Sequence, residues 1–481
     1  MEELLSAGER KELELFRFVL NSDGFISTTS LSELIGSSVS NVWRIINKLA
    51  ETYPDDILLV KNKQLGVQFV ELDPMQDTYL QIKRDYLKNN LNYILLDSLF
   101  NEHYSSAQEF CEAHFISMAT FYTKKKELDV LLALNKVTID TKNFRIRSFN
   151  DIYVREFYYH FYWESFKTIT WPFKTIEKKT IEVILDPFLE NAHITVSNAE
   201  KDQILFRLVT TVIRIKNNHI FDCQILHNLI SPEVRFLLST QTSWLRDLVQ
   251  NEEEYAHENE YLAFLVISNY SSAYVNLPIP DDYLVNYFES IDSAEWKLTV
   301  NFFNQLNAIF PDQTFDSKKN LPDLLHIMYT HIYSSFFAGS YVPSLITQNT
   351  ENISPLCLEA GQKIIDTIDT KKNPQNIDYL KYYYALFIEN YFEFKKVTIA
   401  LHLSSDRMSA DRLKNRLLTT FNEHIFFVDL PEQNGMLADL IISDTHFNTS
   451  SEVIFSRQPN SEQSFKVLKD SVMELFFKLN Q

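Results

Sequence analysis

Five polar side chains follow a glycine at helical spacing: Ser40, Asn41, Arg44, Asn47 and Lys48. Hydroxyl, amide, guanidinium and ammonium groups of this kind reach base edges and neutralise phosphates. The other stripe of the same stretch, Val39, Val42, Ile46 and Leu49, is apolar and is expected to face inward. A second set recurs downstream: Ser117, Thr120, Thr123, Lys124, Lys125 and Lys126, with Met118, Phe121 and Leu128 as the inward positions. A lysine run is ordinarily only a solvated face. The chemistry these residues offer is recognition of an anionic, hydrogen-bonding polymer, not bond making.

Bond-making chemistry finds no foothold. Cys111, Cys223 and Cys357 are far apart, form no C-x-x-C pair, and in odd number do not read as a disulfide framework. Glycine occurs 7 times in 481 residues, and phosphate-cradling loops need it for close backbone approach. There is no G-x-G-x-x-G, Walker loop, G-x-S-x-G or H-E-x-x-H. The expectation is a non-enzymatic protein with no catalytic residue, no metal and no cofactor.

The elements that must carry the polar sets read as two copies of one plan. In the first, Glu9–Leu20 has a helical apolar face. STTSLSELIG is a short helix capped at Thr28 or Thr29 and ended by Gly36. SSVSNVWRIINKLAE is a second helix, and ILLVKNKQLGVQFV is a β-hairpin tipped with Lys61 and Lys63. Helix, turn, helix and hairpin make a winged helix-turn-helix. In the second copy, Ala107–His114 is the short helix, Phe115–Ile116 the turn, and Ser117 the cap of the next helix. Val137–Asp140 and Phe144–Arg147 form a wing with Lys142, Arg145 and Arg147 near it.

A chain of 481 residues exceeds what one core usually serves, so several domains are expected. The 37 Phe and 24 Tyr are expected to fill helix–helix interfaces. Net charge is −19, which taken as a whole argues against a nucleic-acid partner. Its distribution weakens that argument. Residues 1–150 hold 17 basic and 21 acidic side chains, a net of −4, and the other 331 hold 28 and 43, a net of −15. The acid lies mainly beyond the two modules. The charged start has no signal core, and no run of about 18 apolar residues would span a membrane. A cytoplasmic protein with no membrane partner is expected.

In order and length the whole chain resembles the Mga/AtxA family of Gram-positive virulence and global regulators: paired winged modules, a helical middle and a short α/β end. The resemblance implies a mainly α, multi-domain fold. Its divisions would be winged modules at 1–72 and 73–150, helical domains like those regulated by the sugar phosphotransferase system (PRD-like) at 151–277 and 278–394, and an EIIB-like α/β domain at 395–481. The boundary at LPIP (277–280) and the strand-rich change of period from Lys395 fit this plan. The expected helical segments are Asp202–Lys216, Asn286–Asn307, Leu321–Phe337 and Ser461–Leu479.

The family further implies a transcription activator that binds double-stranded DNA, self-associates as a homodimer or larger, and works with phosphotransferase-system proteins and RNA polymerase. Its helical domains would be phosphorylated on histidine. His193, His219, His227, His257, His326 and His331 lie in the right regions, though none sits in a matching local signature. The loop where EIIB proteins carry a nucleophilic Cys reads HLSSDRMS here. It lacks the thiol, which leaves Ser404 and Ser405 as helix caps or an anion contact. Few Arg face outward for guanine contacts, so readout of DNA shape is expected over a strict base code. The alternative is a phosphotransferase-linked signalling or scaffold protein whose winged modules dock protein.

Overall fold

The computed structural model describes residues 1–480 except 23, 73–76, 168–169, 192–193, 227–228, 240–241, 270–280, 312–314, 316–320, 340–352, 370, 372–374, 405–406, 429–437 and 447–451. His193, His227, Ser405 and the LPIP boundary lie outside the described residues. The chain is mainly helical, with a small parallel sheet near its C-terminal end, and it divides into two units, Met1–Val266 and Ile267–Gln481.

The first unit opens with helices α1 (Ala7–Leu20), α2 (Thr28–Leu34) and α3 (Val39–Thr52), then hairpin β1 (Ile57–Asn62) and β2 (Gly66–Glu71). Helix α4 (Thr78–Lys88) leads to α5 (Leu91–Asn101), α6 (Ala107–Ala113), α7 (Met118–Leu134) and hairpin β3 (Thr138–Asp140) and β4 (Arg145–Arg147). Helices α4 and α5 are not among the elements expected from the sequence. The helix α5 packs on α7 and β4 as α1 packs on α3 and β2, so each module has its own supporting first helix.

Helix α8 (Asp151–Phe166) begins three residues after β4. It is buried along almost its whole length. It is pinned to α5 by the Tyr158 hydroxyl on the Leu96 carbonyl (2.9 Å) and the Tyr162 hydroxyl on Asp97 (2.7 Å). After it come α9 (Lys178–Asn191), α10 (Asn198–Lys216), α11 (Pro232–Ser239) and α12 (Glu252–Asn269). Buried charge ties α8 to α10 and α12. The fully buried Arg155 donates to both oxygens of Glu258 (2.5 and 2.7 Å) and to Asp151 (2.8 Å). Asp151 also accepts from Arg214 (2.7 Å), and Arg207 pairs with Glu156.

The second unit carries α13 (Asp281–Ile291), α14 (Ala294–Ile309), α15 (Leu321–Phe336), α16 (Pro355–Ile365) and α17 (Ile377–Tyr391). One continuous helix over Asn286–Asn307 is not what forms. Asp292 turns into the left-handed region (φ 53°) and Ser293 caps a new helix, its hydroxyl accepting from the Trp296 N–H (3.1 Å). After α17 come β5 (Val397–His402), α18 (Arg407–Phe421), β6 (Ile425–Phe427), β7 (Leu440–Ser443), β8 (Glu452–Phe455) and α19 (Glu462–Asn480). The four strands are parallel in the order β6-β5-β7-β8. The fully buried run of β7 is what a parallel strand covered on both faces requires. The Ser404 N–H and hydroxyl both donate to Asp444 (2.7 and 2.9 Å), which joins the loop after β5 to the end of β7.

His331 of α15 is fully buried, hydrogen-bonded to Thr299 of α14 (2.8 Å) and to Tyr384 of α17. Burial holds its imidazole down to about 3. The unfolded chain then takes up a proton near the ordinary histidine value of about 6.5 that the folded chain refuses, so stability falls as pH drops below about 6.5. Between pH 7 and 5 this one group should cost about 2 kcal/mol. Urea unfolding of the wild type and of His331→Gln at both pH values measures it. The variant should lose less on acidification, and equal losses would remove His331 as the cause.

Candidate nucleic-acid interface

In the first module the chain after Gly24 returns to the hairpin. Ile26 and Val67 exchange both backbone hydrogen bonds (2.9 Å each), and a Cβ at Gly66 would stand 2.0 Å from the Ile26 carbonyl oxygen. Only glycine fits there. The cap of α2 is Ser27, whose hydroxyl accepts from the Ser30 N–H (3.0 Å), rather than Thr28 or Thr29. Gly36 takes the left-handed turn (φ 56°). Ser38 caps α3 through the Asn41 N–H (3.2 Å). The buried stripe of α3 is Val42, Ile45, Ile46 and Leu49. Val39, at the first position of the helix, is 37% exposed, contrary to expectation.

On the outer side of α3, Ser40, Arg44 and Lys48 are exposed and Asn41 and Asn47 half-buried. Arg44 donates to Asn41 (3.0 Å) and Asn41 to Ser37 (2.7 Å), which sets the guanidinium along the helix. Lys61 of the wing donates to Asn47 (3.0 Å) with its ammonium 5.6 Å from the Trp43 ring, docking wing to helix. Lys48 is paired with Glu12 of α1 (2.7 Å), which also accepts from the Tyr86 hydroxyl (2.6 Å). Lys63 is exposed at the wing tip.

The second module repeats the plan. Ser117 caps α7, accepting from the Thr120 N–H (3.1 Å), and Thr123 donates to the Ala119 carbonyl (3.0 Å). Phe121 and Leu128 are buried, but Met118, like Val39 the first residue of its helix, is 39% exposed. Lys124 pairs with Glu127 (2.7 Å) and Lys125 with Asp129 (2.8 Å), whereas Lys126 is exposed and forms no ion pair among the described residues. In the wing, Asp140 accepts from the backbone of Lys142 (3.1 Å) and Asn143 (3.3 Å), from the Asn143 amide (2.8 Å) and from Arg147 (2.9 Å), with Arg145 at 3.8 Å. These bonds, Asn143 foremost, hold its carboxyl down at about 2.

Set side by side, the turns match residue for residue. Ile35, Gly36, Ser37 and Ser38 stand where His114, Phe115, Ile116 and Ser117 stand, with equivalent hydrogen bonds from Ser37 to Ser32 (2.9 Å) and from Ile116 to Cys111 (3.0 Å). The second copy therefore puts Phe115 in the left-handed conformation (φ 54°) with its ring 97% exposed. Periodicity alone does not single out Phe115 or the exposed Tyr122. Aligning the two copies of the chain would flag a phenylalanine where the first has glycine. Phe115→Gly relieves this conformation at no cost in packing and should stabilise the protein by about 1 kcal/mol. A thermal melt checks it, and a lower melting temperature would mean the ring makes contacts that its exposure hides.

The family model described as the Mga helix-turn-helix domain matches residues 77–162, from the start of α4 into α8 and across the whole second module. Over that stretch the chain is similar to the helix-turn-helix domain of Mga-type regulators. No curated protein matches it. The match brings the expectation of DNA binding to the module bearing Ser117, Thr120, Thr123, Lys124, Lys125, Lys126, Lys142, Arg145 and Arg147. The first module lies before the matched stretch and stands on its geometry. Among the described residues, no helix is long and apolar enough to cross a membrane.

Proposed function

We propose that this chain is a cytoplasmic transcriptional regulator of the Mga type, an activator acting on many genes, that grips double-stranded DNA with both winged modules. The supporting observation is the repeated helix, turn, helix and hairpin, each copy presenting a capped helix with Arg44 or Lys126 on its outer side. Both outer faces hold few unpaired arginines, which favours reading of DNA bendability over a base code. The chain acts as a homodimer or larger assembly and contacts RNA polymerase. The described helices within 151–277 and 278–394 serve as PRD-like sensor domains, and the parallel sheet region at 395–481 as an EIIB-like module.

Phosphotransferase control, on this reading, acts through His219 before the other candidates. Its ring is bonded to Glu102, the C-cap of α5, so a phosphoryl group there would set a dianion beside a carboxylate and push on the second module. His257 is bonded to the Phe221 carbonyl (2.9 Å), and His326 is largely buried with its imidazole held down by that burial. No donor reaches His331 without parting three helices.

One observation favours a second reading, in which the modules dock protein: Phe115, Met118 and Tyr122 expose apolar area beside the start of α7. Binding of the full chain to random-sequence and intrinsically bent duplexes, followed by fluorescence anisotropy across a salt series, separates the two. Salt-steep binding that favours bent DNA is expected. Absence of binding at low salt would replace the DNA reading with protein docking.

A further inference from the structure

Three side chains of the kinds that ligate metals converge in the second unit, between its helices and its sheet. Cys357 lies on α16, Glu389 on α17, and His424 on the short turn Asn422–His424 that follows α18. A thiol sulfur, a carboxylate oxygen and an imidazole nitrogen from these three lie within 4.8 Å of one another. They are far apart in sequence and belong to no local motif, so the fold alone assembles them. Cys357 is 1% exposed, while Glu389 and His424 are half-buried and line a cleft of about 570 Å³ together with Asn422 and Lys396. Two of the three are oriented by other contacts. Glu389 accepts from the Ser354 N–H (2.9 Å), and the His424 ring packs against Phe394 and Phe476 (centroids 5.5 and 5.4 Å).

We propose that Cys357, Glu389 and His424 bind one zinc ion, with a water from the cleft as fourth ligand. Mixed sulfur, nitrogen and oxygen donors suit a borderline-soft cation without geometric preference of its own. Bonds of about 2.0–2.3 Å to a tetrahedral centre place donors roughly 3.3–3.7 Å apart, so the three atoms need to close by about 1 Å, within reach of side-chain rotation. The charge also balances, since a thiolate and a carboxylate cancel the dication and leave no net charge in a largely buried place. Binding breaks the S–H bond of Cys357, forms the sulfur–zinc bond and releases the proton to water. The bland alternative is a packed core thiol near a capping carboxylate, and it predicts no metal affinity. With zinc in place, α16, α17 and the turn after α18 share one centre, so the metal clamps the helical part of this unit to its parallel sheet.

The test uses the full chain stripped with chelator. Titration with Zn²⁺ alone should give one equivalent per chain by calorimetry, and Co²⁺ should give a thiolate-to-metal charge-transfer absorption. Cys357→Ser should abolish that absorption. Glu389→Gln and His424→Gln, which keep size and polarity, should each weaken binding about tenfold or more with the far-UV spectrum unchanged. The proposal is overturned by a chain that takes up no stoichiometric metal. It is equally overturned by a cobalt absorption that survives Cys357→Ser, or by affinity that His424→Gln leaves intact.

Discussion

Glu258→Ala should cost the first unit about 3–5 kcal/mol, enough to deplete the folded protein in cells. The carboxylate takes two charge-assisted hydrogen bonds from Arg155 and a third from the Phe221 N–H (2.8 Å). Arg155 is fully buried, with its guanidinium 4.7 Å from the Tyr261 ring. Removing Glu258 leaves that cation in a place water does not reach, with Asp151 as a partner it must share with Arg214. The loss is the cost of an orphaned charge and not the worth of the pair, so replacing both members with apolar residues, as in Arg155→Met with Glu258→Leu, should recover most of it. Urea denaturation of the three proteins decides the matter. A single variant that unfolds at the wild-type midpoint would show that the pair is not buried in solution.

Removing four cations together, Arg44, Lys63, Lys126 and Lys142, should lower DNA affinity about a thousandfold at low salt and reduce the salt slope by about 3–4, close to one for each phosphate no longer neutralised. These four are chosen because none of their charged groups pairs with an acidic side chain among the described residues, whereas Lys48, Lys124, Lys125, Arg145 and Arg147 are engaged with Glu12, Glu127, Asp129 and Asp140. Alanine at the paired positions frees a carboxylate as well as deleting a cation, which confuses the reading. An unchanged slope in the fourfold variant would place the DNA on another face of the chain.

Periodicity locates most of what lies within one helix. Val42, Leu49, Phe121 and Leu128 face inward because a helix must bury one stripe, and Ser38 and Ser117 cap because the first N–H groups need acceptors. It misplaces Val39 and Met118, each the exposed first residue of its helix. It cannot show that Lys48 meets Glu12, 36 residues away, or that Arg155 meets Glu258, 103 residues away, since such partners are chosen by packing. Nor can it find His331 sealed between three helices, or Cys357 brought beside His424. The left-handed Phe115 is legible only by comparing the two copies.

The three residues between β4 and α8 leave no tether. Asn150, the last of them, is itself held by its amide on the Asp222 carbonyl (2.9 Å), and α8 is locked both to α5 and to the charged interior. The second module and the helical layer behind it therefore behave mechanically as one stiff arm. A signal arriving in that layer has no slack to take up and no reach to adjust. On the proposed reading, such a signal would reach DNA as a torque, through the angle at which the arm meets the groove.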